Sequence, residues 1–270
     1  MAKTYLQSCL RDEKVIRWPD NIFPLAVYVA PFRWYKAPND AVKYNAIVKR
    51  ALETWEKASN GVIKFKLVTN LNASHINLDW RRIDRKSLGH CYFHFDNIGR
   101  LYSAEVQIGL SDGVIHSRYQ DEDEVFHTVL HEIGHAVGLG HSPYPEDIMF
   151  TPHKYGVINL SKNDAASVQW LYKLPYGATV KDISNRYGVP SDDLDYILQK
   201  HTSIKRNRTS EFEEVKNSVT APQKDLIEEQ ATLAEIKKYN LGIQNIQIPS
   251  DVQQYIKKTL INKEDKKRLH

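Results

Sequence analysis

Three histidines and one glutamate stand at a spacing that could hold a metal ion and use it for catalysis. His131 and His135 are four residues apart, so on an α-helix their imidazoles lie one above the other on one face. Gly138 can end that helix, because glycine adopts left-handed backbone angles at little cost. The chain can then turn back and present His141 as a third ligand. Three neutral histidines with an open fourth position suit a catalytic zinc rather than a closed structural one.

The residues around this cluster favour the same interpretation. Apolar residues recur at helical spacing between Gln120 and Val137. Four acidic residues at positions 121–124 precede that stripe, where they favour the positive end of a helix dipole. Glu132 lies one step round the helix from His131 and could accept a proton from an attacking water. The sequence therefore predicts a helix that carries two metal ligands and a general base.

Upstream of this helix, the sequence predicts a further helix among several short strands. Pro38 to Trp55 is amphipathic at helical spacing, and Asn60-Gly61 would end that helix. From Val62 to Thr69 the residues alternate, which places Phe65 and Leu67 on one face of a strand. The other predicted strands are Leu25 to Ala30, His75 to Trp80, Cys91 to Phe95 and Leu101 to Leu110.

Residues within and beyond the histidine cluster match one known pattern. His131 to His141 reads HExxHxxGxxH, and Ser142 follows it. Asp147 to Phe150 contains Met149, and Leu160 to Asp164 opens an apolar helical stretch. On these residues the chain resembles a metzincin metalloprotease, and within that clan it is most similar to the matrixins. The resemblance implies that Met149 lies in the Met-turn, a methionine loop beneath the zinc.

The resemblance also implies a fold and a reaction. The fold would be α+β, with a twisted, mostly parallel sheet, one antiparallel edge strand and an active-site helix, followed by a smaller α-rich C-terminal region. The reaction would be hydrolysis of peptide bonds in a protein or peptide substrate, at one catalytic zinc bound by His131, His135 and His141. The zinc would activate a water, and Glu132 would act as general base and then as general acid.

The same resemblance places the substrate against one strand and one loop. Leu88 to Tyr92 would be the edge strand that pairs with an extended peptide through main-chain hydrogen bonds; a purely structural strand is the alternative. The loop from Phe150 to Asn159 would wall the pocket for the side chain after the cut. Within that loop, His153 and Tyr155 would either touch the oxyanion or be exposed to solvent. The candidate substrate-binding residues are Leu88, Gly89, His90, His153 and Tyr155.

Other metal sites of the family are not favoured in this chain. The side chains available for a structural zinc are Asp84, His90, His94 and Asp96. Tyr102 to Leu110, however, lacks the histidine that the resemblance would require there. Asp96 to Gly99 is typical of a hairpin turn rather than a calcium loop. Thr151 stands two residues after Met149, where some metzincins have a tyrosine ligand. We therefore expect one catalytic zinc, and a structural zinc or calcium is not favoured.

The region after the catalytic motif changes in character. The parts of the chain are predicted to be an N-terminal extension (1–14), a catalytic domain (15–174), a segment at 175–200 and a charged helical or linker tail (201–270). Gly177-Ala178-Thr179 and Tyr187-Gly188-Val189 resemble the front half of a LysM module, which implies binding of a peptidoglycan or chitin-type glycan through 175–200. No closing strand is evident after Gln199, so two small helices packed on the catalytic domain, or a helix-turn-helix look-alike, are the alternatives.

Composition limits the class of protein. The 270 residues are enough for one core plus a smaller unit. A hydrophobic fraction of 41% and a charged fraction of 26% are typical of a soluble globular protein. The net charge of +4 demands no nucleic acid. There is no apolar run of about 18 residues, so no membrane span is expected. Two cysteines allow one disulfide, although two free thiols are expected.

Compartment and competing functions remain open at this level. Met1 to Leu10 lacks the apolar stretch of a secretory signal, whereas the resemblance favours a secreted or cell-surface protein. A catalytically silent protein that binds a glycan or a cell wall on a zinc scaffold is the alternative function, and Glu132 argues against it. A basic tail that binds nucleic acid is a weaker alternative, because charge is nearly balanced.

Overall fold

A computed structural model describes residues 2–33, 38–82, 88–110 and 121–218. The strands are β1 (Leu25–Val29), β2 (Phe65–Val68), β3 (Ile76–Arg82), β4 (Gly89–Phe95) and β5 (Leu101–Leu110). They form one sheet in the order β2-β1-β3-β5-β4. The pairs β1–β2, β1–β3 and β3–β5 are parallel, whereas β4 pairs antiparallel with β5 at the edge. The predicted α+β fold, with a mostly parallel sheet and one antiparallel edge strand, is confirmed.

Within the described ranges, five α-helices accompany the sheet. They are α1 (Asp40–Ala58), α2 (Glu122–Ala136), α3 (Lys162–Leu171), α4 (Val180–Tyr187) and α5 (Leu194–Ser218). Short 3-10 turns lie at Leu6–Cys9, Asp20–Ile22 and Leu71–Ala73. After α1, Asn60 and Gly61 adopt positive φ angles of 55° and 72°, as predicted for the residues that end this helix. None of the described helices is long and apolar enough to cross a lipid bilayer.

In β2, one side chain that was predicted to be covered by the core is exposed. The alternation from Val62 to Thr69 placed Phe65 and Leu67 on the same face, but Leu67 is 56% exposed while Phe65 packs against the core. The observed strand is also shorter, Phe65–Val68. Since β2 lies at the margin of the sheet and pairs with β1 on one side, only the start of the strand is covered by the core.

Two buried tryptophans fix the position of α2. Trp55 on α1 donates its indole N–H to the carbonyl of Leu130 at 2.9 Å. Trp18 donates in the same way to the carbonyl of Ala136 at 2.8 Å. Both indoles are fully buried, so each combines a large apolar area with a satisfied polar atom. The helix that carries the first two histidines is therefore held at its middle and at its end.

The N-terminal residues pack into the same compact unit, Met1–Ile204. Tyr5 donates its hydroxyl to Asp164 at 2.7 Å, and the Gly140 amide donates to the Cys9 sulfur at 3.0 Å. The amides of Leu6 and Gln7 both donate to the carboxylate of Asp195 on α5. The segment predicted as an extension is thus hydrogen-bonded both to the catalytic region and to the last described helix.

Residues 175–200 form helices that share the core of this unit. Thr179 and Asp182 cap α4 reciprocally, and Gly188 ends it with φ 64°. Ile183 and Leu194 are buried in the common core. No strand follows in the described residues 175–218. The segment therefore matches the alternative of small packed helices, and the LysM-like interpretation is not supported.

The start of the charged tail continues α5 as far as Ser218. Lys205–His270 forms a second unit of the chain. The part of the predicted tail beyond residue 218 lies outside the described residues.

Both cysteines are free thiols, as expected, and the buried Cys9 should be unreactive in the folded protein. Burial raises the pKa of Cys9 to about 12 and raises that of Cys91 well above its usual value. Because the thiolate is the reactive form, we expect labelling of Cys9 with Ellman's reagent at pH 8, measured in a Cys91→Ser variant, to be at least about 100-fold slower in native than in urea-unfolded protein. Equal labelling rates in the two states would contradict this packing.

Candidate metal centre

Three imidazoles converge at the end of α2. His131 and His135 project from one face of the helix, and Gly138 with φ 100° turns the chain so that His141 returns to them. The Nε2 atom of His135 lies 3.1 Å from that of His131 and 3.2 Å from that of His141. A tetrahedral zinc with Zn–N bonds of 2.0–2.1 Å separates its nitrogens by about 3.3 Å. The two separations from the His135 nitrogen are close to this value, and the ligand atoms of all three histidines lie within 4.8 Å of one another.

Backbone carbonyls orient two of these rings. Nδ1 of His131 lies 2.7 Å from the carbonyl oxygen of Ile148, and Nδ1 of His135 lies 2.8 Å from that of Leu139. With the proton on Nδ1, each ring donates to its carbonyl and leaves the Nε2 lone pair for a metal. The carbonyl of His141 accepts a hydrogen bond from the Ser8 hydroxyl at 2.7 Å, which anchors the loop of the third ligand.

Burial favours the neutral form of the three histidines. Burial lowers the pKa of His131 well below its ordinary value and lowers that of His135 to about 4. Burial also lowers the pKa of His141, with a smaller contribution from the charge of Arg11. Metal binding requires deprotonated ligand nitrogens, so these rings are ready to bind a cation at neutral pH.

Met149 is fully buried directly beneath the helix. A Cβ atom placed on Gly134 would lie 2.3 Å from the Met149 sulfur, so only glycine allows this approach between helix and methionine. The loop is closed by a hydrogen bond from the Ser142 amide to the Met149 carbonyl at 2.8 Å. This is the place that the sequence pattern assigned to Met149.

Glu132 is 6% exposed and lines the same cleft as the histidines. Burial raises the pKa of its carboxyl to about 8, because the charged form is poorly solvated there. A Cβ atom on Gly89 would lie 2.6 Å from the Glu132 Oε1 atom. The predicted substrate-binding glycine on β4 and the predicted base are therefore in direct proximity.

The cleft has a volume of about 580 Å³. Of the predicted substrate-binding residues, Leu88, Gly89, His90 and His153 line it. Tyr155 does not line it; its side chain is 58% exposed and its hydroxyl donates to Asp121 at 3.2 Å. The Nε2 atom of His153 lies 2.5 Å from a carboxylate oxygen of Glu124. Both residues of the loop are thus engaged with the first turns of α2 rather than directed at the three Nε2 atoms.

Two basic residues of the cleft, His127 and Arg11, were not predicted from the sequence. His127 stands four residues before His131 and so lies on the same face of α2, and its ring centroid is 3.8 Å from that of His153. Its Nδ1 atom contacts the carbonyl of Val157. Burial, followed by the neighbouring His153, lowers the pKa of His127 to about 4. The four-residue spacing between His127 and His131 was the signal in the sequence that could have identified His127. Arg11, which also lines the cleft, had none, because it comes from a distant part of the chain.

The structure groups no second set of metal ligands in the part of the chain that it describes. The three histidines of the cleft form the one such group found there. Asp96, a candidate for a structural zinc, instead accepts hydrogen bonds from the Ile98 and Arg100 amides in a turn. Gly99 completes this turn with φ 84°, as the hairpin prediction required. Asp84 lies outside the described residues.

Comparison with known families and proteins decides the assignment. A profile of the matrixin family matches residues 31–173, which is more than half of the chain and includes β2 to β5, α2 and the three histidines. The chain belongs to the matrixins. Family membership and the histidine cluster together imply a catalytic zinc bound by His131, His135 and His141.

Individual relatives of this matrixin occur in insect viruses and mammals. A putative matrix metalloproteinase of Heliothis virescens ascovirus 3e is 27% identical over 167 residues, which is 51% of this chain and 34% of the viral protein. A probable matrix metalloproteinase of Invertebrate iridescent virus 3 is 47% identical over 55 residues, 19% of this chain and 14% of that protein. Macrophage metalloelastase of Oryctolagus cuniculus is 28% identical over 141 residues, 47% of this chain and 28% of the enzyme. The matched region thus spans about a third or less of each relative.

Proposed function

We propose that this matrixin is a zinc-dependent endopeptidase that hydrolyses peptide bonds in proteins. The observation that carries the proposal is the convergence of three Nε2 atoms beside a buried glutamate in an open cleft. A non-catalytic protein that bound zinc only to stabilise its fold would not need a glutamate at position 132. Zinc held by three imidazoles supplies a Lewis acid that acidifies water and polarises a carbonyl.

The proposed role of Glu132 is proton transfer. Its carboxylate would take a proton from the attacking water and pass that proton to the leaving amine. The side chain lies close to Gly89 of β4 and lines the cleft, where it can reach a water bound beside the histidines.

The proposed role of β4 is to bind the substrate backbone. β4 pairs with β5 on one side and stands at the end of the sheet order, so its other edge can accept an extended peptide by strand addition. Leu88, Gly89 and His90 would supply the contacts nearest the cut. Main-chain recognition of this kind tolerates many sequences, which suits an endopeptidase.

We further propose that the side chain after the cut enters the part of the cleft lined by His127 and by Thr151 to His153. The pair of His153 with Glu124, together with the hydrogen bond from the Gly156 amide to Glu124 at 2.9 Å, would hold this wall in place. Tyr155 would support the wall from outside through Asp121. We propose no glycan binding for residues 175–200, because those residues pack as helices and the comparisons give it no support.

The proposed function is tested by cleavage of an unfolded protein such as reduced casein. We expect the zinc-loaded protein to cut it at several internal bonds, to lose this activity when a chelator removes the metal, and to regain it when zinc is added back. Zinc content measured on the same samples separates loss of metal from loss of fold. A protein that holds one zinc per chain and cuts none of several unfolded proteins would contradict the proposal.

A further inference from the structure

We propose that Arg11 makes this enzyme prefer substrates with an acidic side chain a few residues before the cleaved bond. The inference rests on the proposed endopeptidase function and adds a substrate preference to it. Arg11 lies outside residues 31–173, the part matched by the matrixin profile. The preference would therefore come from the N-terminal segment of this chain rather than from the family domain.

Arg11 reaches the cleft beside the substrate strand. It lines the cleft together with His141 and Phe93, and its guanidinium carbon lies 5.6 Å from the centroid of the Phe93 ring. Phe93 belongs to β4, whose free edge is the proposed binding site for the peptide. A side chain that projects from the bound peptide near Phe93 would meet the guanidinium.

A short turn fixes the position of this guanidinium. Its Nη1 atom donates to the carbonyls of Ser8 and Leu10 at 3.0 and 2.8 Å. The backbone of Arg11 exchanges two hydrogen bonds with that of Lys14, at 3.0 and 2.9 Å. Ser8 also donates its hydroxyl to the carbonyl of His141, so the turn is attached to the loop of the third zinc ligand. The cation is held at the cleft by the fold.

No acidic partner within the described part of the chain neutralises Arg11. The ion pairs found there involve other residues, and the one carboxylate among the described residues that line the cleft is Glu132. Arginine presents several N–H donors in a planar fork that matches a carboxylate. With Nη1 engaged by carbonyls, the other donors of the fork are available to a glutamate or aspartate of the substrate.

The position of the acidic residue follows from the course of β4. Gly89 approaches Thr128 and Glu132, next to the pocket proposed for the side chain after the cut. Phe93 is four residues further along, about 13 Å at the usual rise of a strand. A bound peptide that runs antiparallel to β4 would therefore place roughly its third or fourth residue before the cut near Arg11.

The test uses the full-length, zinc-loaded protein and fluorogenic peptides that differ at one position before the cut in glutamate, glutamine or lysine. We expect kcat/KM to be about fivefold higher for the glutamate than for the glutamine peptide, as for a partly exposed ion pair, and lowest for the lysine peptide. The difference should shrink as salt is raised. Arg11→Gln should make the three peptides equal, and Arg11→Glu should reverse the order, which a merely structural arginine would not do.

Lys14→Gln is the matched control. Lys14 is a cation of the same turn as Arg11 but does not line the cleft, so this variant should keep the wild-type substrate preference. Equal kcat/KM for the three peptides in the wild type, at every position before the cut, would overturn this inference and leave the peptidase function intact. Absence of cleavage of every peptide and of unfolded protein would overturn both. Should the Arg11 variants fail to fold, the peptide series and its salt dependence in the wild type decide the question.

Discussion

Glu132→Gln is expected to lower kcat by about 1,000-fold, within the range that general acid–base catalysis contributes, while the protein keeps its zinc. Glutamine has nearly the same shape, so the contact with Gly89 is retained, but an amide cannot accept the proton of the attacking water. Zinc content should not change, because the rings of His131 and His135 are oriented by backbone carbonyls and not by Glu132.

Asp123→Asn is the matched control for this variant. Asp123 lies in the first turn of α2 and is exposed, so the substitution makes the same chemical change on the same helix, away from the cleft. Its kcat should stay within about twofold of wild type, as for most surface substitutions. If Glu132→Gln retained more than about a tenth of the wild-type kcat with full zinc occupancy, the role of Glu132 in proton transfer would be wrong.

Asp164→Ala is expected to lower the free energy of unfolding by about 4 kcal/mol, the sum of several orphaned buried donors. Asp164 is completely buried and accepts hydrogen bonds from the Tyr5 hydroxyl, the Ile148 amide and the Ser161 amide at 2.7, 2.9 and 2.9 Å. One carboxylate thereby joins the N-terminal segment, the methionine loop and the start of α3. Alanine would leave three donors without their partner.

Urea unfolding at fixed zinc concentration measures this effect, since bound metal itself adds stability. Tyr5→Phe removes one of the three hydrogen bonds and should cost about 1 kcal/mol. Asp192→Ala, at an exposed position, should cost less than about 0.5 kcal/mol. A loss below about 1 kcal/mol for Asp164→Ala would show that water replaces the carboxylate, and that this junction does not hold the loop.

The metal ligands could be predicted because their geometry is local. Two of the histidines lie on one face of a helix, and a turn at a glycine precedes the third. These local features determine the positions of the three nitrogens and do not depend on the rest of the fold. The sheet could be predicted for a related reason, since each strand is marked by its own apolar run. The face of β2 could not, because the exposure of Leu67 depends on which strand lies beside it.

The remaining cleft residues depend on contacts between distant parts of the chain. His153 pairs with Glu124 across 29 positions, and Arg11 reaches Phe93 from the N-terminal segment. Neither pair has a spacing signal in the sequence. The course of the N-terminal segment was equally hidden, because the partner of its Leu6 and Gln7 amides is a single aspartate on α5.

That last contact determines when the fold can be completed during synthesis. Leu6 and Asp195 are 189 positions apart, so the segment that contains Leu6 must wait until Asp195 has been synthesised before it gains these hydrogen bonds. Contacts of such long sequence separation slow folding, because the loop must close before they form. The Ser8 contact that anchors the His141 loop belongs to the same segment, so the zinc site would reach its final shape late, after the sheet and α2 have assembled.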